Sequence, residues 1–231
     1  MPDLKPQILS KDDLALEKAV EGRVVYLLIL VTLVQFAYPI TAYGTWALAL
    51  YQVLYASMIV TGVIVGRDSP RHMLVLALSG FAYLIAGIVY SFNPQASWIV
   101  FLTYLMLIPY LGMLLWILGR FLLIMQNITR DVLYAASAVY LLLGGIFVPL
   151  YGLIELFTPG SFRDGSAAGG AIQWQQIVYF SYTTLTTSGY GDILPITWWA
   201  RSLANFEMVV GVLYLTIIMA RLVSLYNTRP S

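Results

Sequence analysis

The stretch with the clearest chemical potential is Thr186-Thr187-Ser188-Gly189-Tyr190-Gly191-Asp192, in which two glycines stand two residues apart. A helix interior disfavours such a strip, since each glycine costs about 1 kcal/mol there relative to alanine. As extended backbone it suits one task. A dehydrated cation needs oxygens at the spacing of its lost water, and main-chain carbonyls provide them when all point one way. In an ordinary strand they alternate. Alternating left- and right-handed conformations align them, and glycine takes positive φ at little cost, so Gly189 and Gly191 supply that freedom. Thr187 adds a hydroxyl at one mouth. The Tyr190 ring is placed to brace the strand from behind, and Asp192 to tie its far end back to the preceding segment. One chain forms one wall, so this chemistry requires a ring of chains.

Such a strip needs a holder. Non-helical backbone survives at membrane depth only where it is buried in protein or lines a watery cavity. Residues 172–186 are apolar and aromatic but too short to cross, and Pro195 follows the strip. The pattern predicts a re-entrant loop, helix down and strand back up. Around it the composition is that of a membrane protein. Of 231 residues, 60% are hydrophobic and 10% charged, against about 25% charged in a soluble domain. Apolar runs at 24–43, 45–66, 72–91, 97–119, 132–157 and 199–226 each approach the ~20 residues of a crossing helix. Gly62 and Gly66 form a small-residue pair suited to helix packing. Pro109 and Pro149 are expected to kink their spans. Residues 158–170, rich in Gly and Ser, read as a surface loop.

The basic residues set an orientation. With the N-terminus inside, ten of the 12 Lys and Arg are cytoplasmic, and Arg163 and Arg201 remain outside. Both termini are then cytoplasmic. Trp98, Trp174, Trp198 and Trp199 fall near the outer interface, where aromatic belts form. Ser10 and Asp13 predict a capped helix start. That helix either lies on the inner membrane surface or is a solvated lead-in to the first span. The charged segment before residue 22 argues against a signal peptide. A net charge of +1 excludes strong attraction of nucleic acid. With no Cys and a single His, His72, thiolate and His-cluster metal sites are excluded, and no nucleophile–base spacing suggests an enzyme.

Thr184-Leu185-Thr186-Thr187-Ser188-Gly189-Tyr190-Gly191-Asp192 resembles the potassium-channel signature, whose four loops replace the hydration shell of the ion with carbonyl oxygens. The resemblance runs from about Ile172 to Tyr226. It includes Tyr179-Phe180-Ser181-Tyr182, Ile193-Leu194-Pro195, Gly211-Val212-Leu213-Tyr214 and Ala220-Arg221-Leu222-Val223, which resemble prokaryotic two-helix pore modules. It implies an all-α membrane protein with six transmembrane helices, a re-entrant pore helix and a selectivity filter, assembled as a homotetramer among membrane lipid. The expected divisions are a cytoplasmic segment 1–22, a four-helix bundle 23–120, and a pore domain 130–231. Within the pore domain the expected parts are an outer helix 131–157, a pore helix 172–186, the filter 187–191 and an inner helix 199–226.

The resemblance further implies K+ at Thr187, Ser188, Gly189 and Tyr190, with Gly191 completing the filter, and no organic cofactor. Ser188 stands where the family usually has Val or Ile, with a side chain directed at the pore helix. It either softens the filter or adds a hydrogen bond. Thr183 stands where some members carry a Glu behind the filter. Asp192, Thr183, Glu207 and Glu155 are the candidate filter supports, the two Glu as replacements for that brace or as buried carboxylates satisfied by backbone or Tyr donors. Gly211 matches the family's inner-helix hinge. Val212, Leu215, Thr216, Met219 and Val223 either line the cavity and inner mouth or face neighbouring helices.

Residues 98–119 contain no Lys or Arg. A voltage sensor needs several, since one charge crossing the field contributes about 2.3 kcal/mol per 100 mV. Weak or no voltage dependence is expected. Five residues follow Tyr226, so no cytoplasmic ligand-binding domain is expected. The expectation is a potassium-selective channel subunit of the cell membrane. The alternatives are a poorly selective monovalent cation channel and a non-conducting scaffold or regulatory subunit. The gating stimulus is left open among lipid or tension, proton, ion occupancy of the filter and a regulatory partner protein.

Overall fold

The computed structural model describes residues 10–92, 96–165 and 172–227. Expectations for residues 1–9, the Asn93–Pro94 turn, residues 166–171 and Arg229 lie outside them. Eight helices occur among the described residues: α1 Lys11–Val20, α2 Val24–Phe36, α3 Thr45–Val65, α4 Pro70–Phe92, α5 Ser97–Ile124, α6 Arg130–Phe157, α7 Trp174–Leu185 and α8 Trp198–Asn227. The protein is an all-α membrane protein. Among the described residues, α3, α4, α5, α6 and α8 are each long and apolar enough to cross a bilayer, and the bent pair α1–α2 makes a sixth candidate.

The first apolar run is not one helix. Pro39 lacks an amide hydrogen and its ring crowds the preceding turn, so α2 stops at Phe36 and the chain continues as a 3-10 helix over Tyr38–Tyr43. Thr41 Oγ1 donates to Tyr38 O at 2.7 Å and holds this tighter coil. Thirteen α-helical and six 3-10 residues still reach about 30 Å, the thickness of a hydrocarbon core.

Lipid tails are as apolar as Leu, so close packing and interhelical hydrogen bonds must hold the helices together. Gly62 and Gly66 do this for α3: a Cβ on either would collide with Tyr110 or Leu76. The close approach lets Tyr110 Oη donate to Met58 O at 3.0 Å, a bond worth about 0.6 kcal/mol by membrane-protein averages. Pro109 and Pro149 lie inside α5 and α6, which both continue past them.

The expected α1 is present, with a reciprocal capping box between Ser10 and Asp13. One face of it docks on the protein. Leu16, Ala19 and Val20 are buried in the core, and Asp13 accepts from Arg120 Nη2 at 2.8 Å. Gly22 N donates to Asp131 Oδ2 at 3.1 Å. Arg120 therefore sits inside α5, which runs to Ile124, and not at a junction between two units. The actual turn is residues 125–129. One core cluster passes through α1–α5 and into α6 at Val132, Ala135, Val139 and Leu142, so each bundle rests on the α6 of its own chain.

Candidate functional site: the re-entrant strip and its supports

The short helix α7 starts with a reciprocal cap: Gln173 N donates to Gln176 Oε1 at 2.8 Å. Gln176 Nε2 in turn donates to Asp164 Oδ2 at 2.6 Å. Asp164 lies on a strand, β1 Phe162–Asp164, that pairs antiparallel with β2 Ile193–Pro195, matching Arg163 with Leu194. The two-stranded sheet was not legible in the loop-like composition of 158–170. It clips the chain before α7 to the chain leaving the strip, and Gly165 N extends it to Asp192 O at 2.7 Å. Glu155 belongs to this outer frame. Its carboxylate accepts from Gly160 N at 2.8 Å and Phe162 N at 3.1 Å, and it does not reach the strip.

At its other end α7 gives way to the strip without a spacer. Thr187 N donates to Thr184 O at 2.9 Å, Ser188 N to Thr183 O at 2.9 Å, and Gly189 N to the same oxygen at 3.1 Å. Three successive amides thus point back into the last turn of α7. Positive φ recurs at Thr187 (57°), Gly189 (50°) and Gly191 (78°). Every second residue is left-handed, and among the described residues no donor is bonded to the carbonyls of 187–190. Sequence reasoning named the two glycines for this geometry and missed Thr187. It is the one non-glycine residue with positive φ among those described, a conformation that costs a β-branched side chain of order 1–3 kcal/mol. The two-residue spacing to Gly189 was the available signal.

Thr183 supports the strip through its carbonyl, while its hydroxyl donates within α7 to Phe180 O at 3.0 Å. Ser188 is exposed in the single chain, and of the two expectations for it the structure gives the added hydrogen bond: its Oγ lies 3.0 Å from Thr186 Oγ1, the hydroxyl of the α7 C-cap residue, which donates to Tyr182 O at 2.7 Å. The Tyr190 ring is 74% exposed and stacks on Tyr179 at 6.4 Å with planes 7° apart. Asp192 Oδ1 accepts from Ile193 N at 3.0 Å, and its carboxylate faces the Tyr179 hydroxyl on α7.

Behind α7 lies Glu207 of α8, fully buried. It accepts from Tyr151 Oη on α6 at 2.5 Å and from Ser181 Oγ on α7 at 2.6 Å. Ser181 Oγ also lies 2.8 Å from Gly144 O. One carboxylate therefore joins three helices, within hydrogen-bond reach of Tyr and Ser hydroxyls. The sequence does not link Tyr151 and Ser181 to Glu207, because they lie 56 and 26 residues away; a Tyr donor is one of the expectations for this carboxylate. Tyr182 Oη adds a bond to Leu141 O at 2.7 Å. Gly211 sits where α8 crosses the end of α7: a Cβ there would collide with Leu185 O. α8 runs unbroken through it.

Val212, Leu215, Thr216, Met219 and Val223 are all exposed in the single chain, as are Phe206, Val209 and Ile217 on other sides of α8. Thr216 Oγ1 satisfies itself on Val212 O at 2.8 Å. Of the four expected belt tryptophans, Trp98, Trp198 and Trp199 are exposed. Trp174 instead packs against Tyr51 at 5.7 Å and Tyr38 at 6.4 Å.

Residues 132–227 match the family model described as an ion channel, and this part of the chain is similar to an ion channel pore domain. No solved structure matches the chain.

Proposed function

We propose that the protein is one subunit of a homotetrameric, potassium-selective channel of the cell membrane, with both termini cytoplasmic and weak or no voltage dependence. The observation that carries this reading is the recurrence of positive φ at Thr187, Gly189 and Gly191. With the amides of 187–189 bonded back to α7, the intervening carbonyls turn to the opposite side. Four copies around an axis then offer rings of oxygens at Thr187, Ser188, Gly189 and Tyr190 to a dehydrated K+, and Gly191 closes the outer end. Exchange of water for a fixed carbonyl ring is the selectivity principle of such filters. No organic cofactor is required. The exposed apolar length of α8 supports the ring, since a helix that leaves most of its surface uncovered in one chain gains close partners from the next. Gly211 acts as a close-approach residue in the conformation described, and a hinge role is proposed for it only in another state of the channel.

A second reading has its own observation. The Ser188–Thr186 hydroxyl pair replaces the apolar packing that Val or Ile would provide, and a less constrained strip favours a monovalent cation channel of poor selectivity. Reversal potentials in planar bilayers under opposed K+ and Na+ gradients separate the two. A reversal close to the K+ equilibrium value supports selectivity, and one near zero supports the second reading. Absence of any current, with an assembly other than fourfold, overturns both.

A further inference from the structure

The first four spans carry a feature that permeation does not use. A cavity of about 80 Å³ lies between the bundle and the pore domain, lined from α2 through α7. A single water needs roughly 10–15 Å³ of such space, so the cavity takes several waters or one small organic molecule. Its walls are aromatic. Tyr83, Tyr55, Tyr51 and Trp174 make successive ring contacts of 4.8, 5.2 and 5.7 Å, a continuous file from α4 through α3 to α7. Gly145 and Gly87 open the wall, and a Cβ at either would crowd Gln35 or Gln52.

Two observations define what fits. No charged side chain lines the cavity among the described residues. An ion would be stripped of water there without a counter-charge, so the occupant is uncharged. The lining also includes the carboxamide of Gln52, whose Oε1 is buried and accepts no hydrogen bond. A buried acceptor left without a donor is costly, and an occupant carrying O–H or N–H removes that cost. We propose that this cavity is a binding site for a small uncharged molecule with a hydroxyl or N–H donor, which donates to Gln52 Oε1 and lies against the tyrosine faces. Trp174 and Val178 of α7 form part of the wall, so the occupant touches the helix that carries the strip. This assignment is independent of which ion permeates.

The probes are 4-fluorophenol and 4-fluorotoluene, which share ring size and differ in the donor. Each is titrated by fluorine NMR onto the full-length assembly in lipid nanodiscs, with empty nanodiscs as the partition control. Saturable 4-fluorophenol binding above that control is expected. Gln52→Leu should weaken it about tenfold, the size of one net hydrogen bond, and leave 4-fluorotoluene unchanged. Thr103→Trp fills the space and should abolish binding of both. If that variant fails to assemble, Gln52→Leu decides alone. Phenol binding no greater than the lipid control, which would mean a water-filled cavity, or binding insensitive to Gln52→Leu, overturns the proposal.

Discussion

At the strip end residues 132–227 are tied down from several directions: the β1–β2 sheet, the Glu155 caps, and the Glu207 carboxylate joined to Tyr151 and Ser181. Towards its C-terminus α8 has far fewer attachments. Tyr214 Oη donates to Ala136 O at 2.6 Å, and Arg221 Nη2 donates to Leu123 O at 2.6 Å and Met125 O at 3.0 Å. The first end is held by side chains from three helices and a sheet. The second is held by single side chains reaching to backbone of α6 and of the end of α5. On the proposed reading a firmly tied strip end would serve selectivity and a lightly held C-terminal end would serve gating, at α8 beyond Tyr214.

The most severe way to break the contrast is Gly191→Val. It forces a β-branched residue into φ 78°, at a cost of order 1–3 kcal/mol per chain that is repeated around the ring, and ion flux in proteoliposomes should vanish. Gly211→Val comes next. Its side chain meets the Leu185 carbonyl, so the yield of assembled oligomer by size exclusion should collapse. Glu207→Leu leaves the Tyr151 hydroxyl without its acceptor, while Ser181 falls back on Gly144 O. That orphan costs about 1–3 kcal/mol, and the melting temperature should fall, while Glu207→Gln, still able to accept, should fall less.

Arg221→Leu acts at the other end. It should change open probability several-fold in single-channel records and leave the reversal potential where it was; a shifted reversal potential would merge the two ends into one unit. The smallest effect concerns Asp13. The Ser10 hydroxyl and then the Arg120 guanidinium hold its carboxyl below the usual range. A depressed folded value contributes docking of α1 that is complete above the ordinary carboxylate pKa and lost as pH falls through the folded one. Amide exchange over α1 should accelerate only below about pH 4, and Arg120→Gln should shrink that pH step without removing it, since the larger Ser10 contribution stays.

Much of the strip was readable because its chemistry is local: glycine spacing, a short apolar helix before it and Pro195 after it all lie within one stretch of chain. The bounds of α6, α7 and α8 were readable for the same reason, since uncharged runs end where polar residues begin. What escaped were partnerships at a distance. Glu207 stood out as a carboxyl in a span, but its acceptor role depends on two hydroxyls from other helices. Glu155 looked similar and proved to cap a turn. The β1–β2 pair is three residues a side, too short for any alternation to show. The docking of α1 was hidden because Leu16, Ala19 and Val20 suit a lipid surface and a protein core equally well.

The turn over 125–129 has a consequence for biogenesis. Because it is short and the bundle closes onto the α6 that follows it, a nascent protomer can complete its periphery and outer helix without borrowing an element from another copy. In the proposed ring, recruitment would then proceed by docking of finished wedges. Mixed rings of wild-type and variant copies would form in proportion to supply, with each wedge contributing its own bundle cavity and its own share of the proposed conduction path.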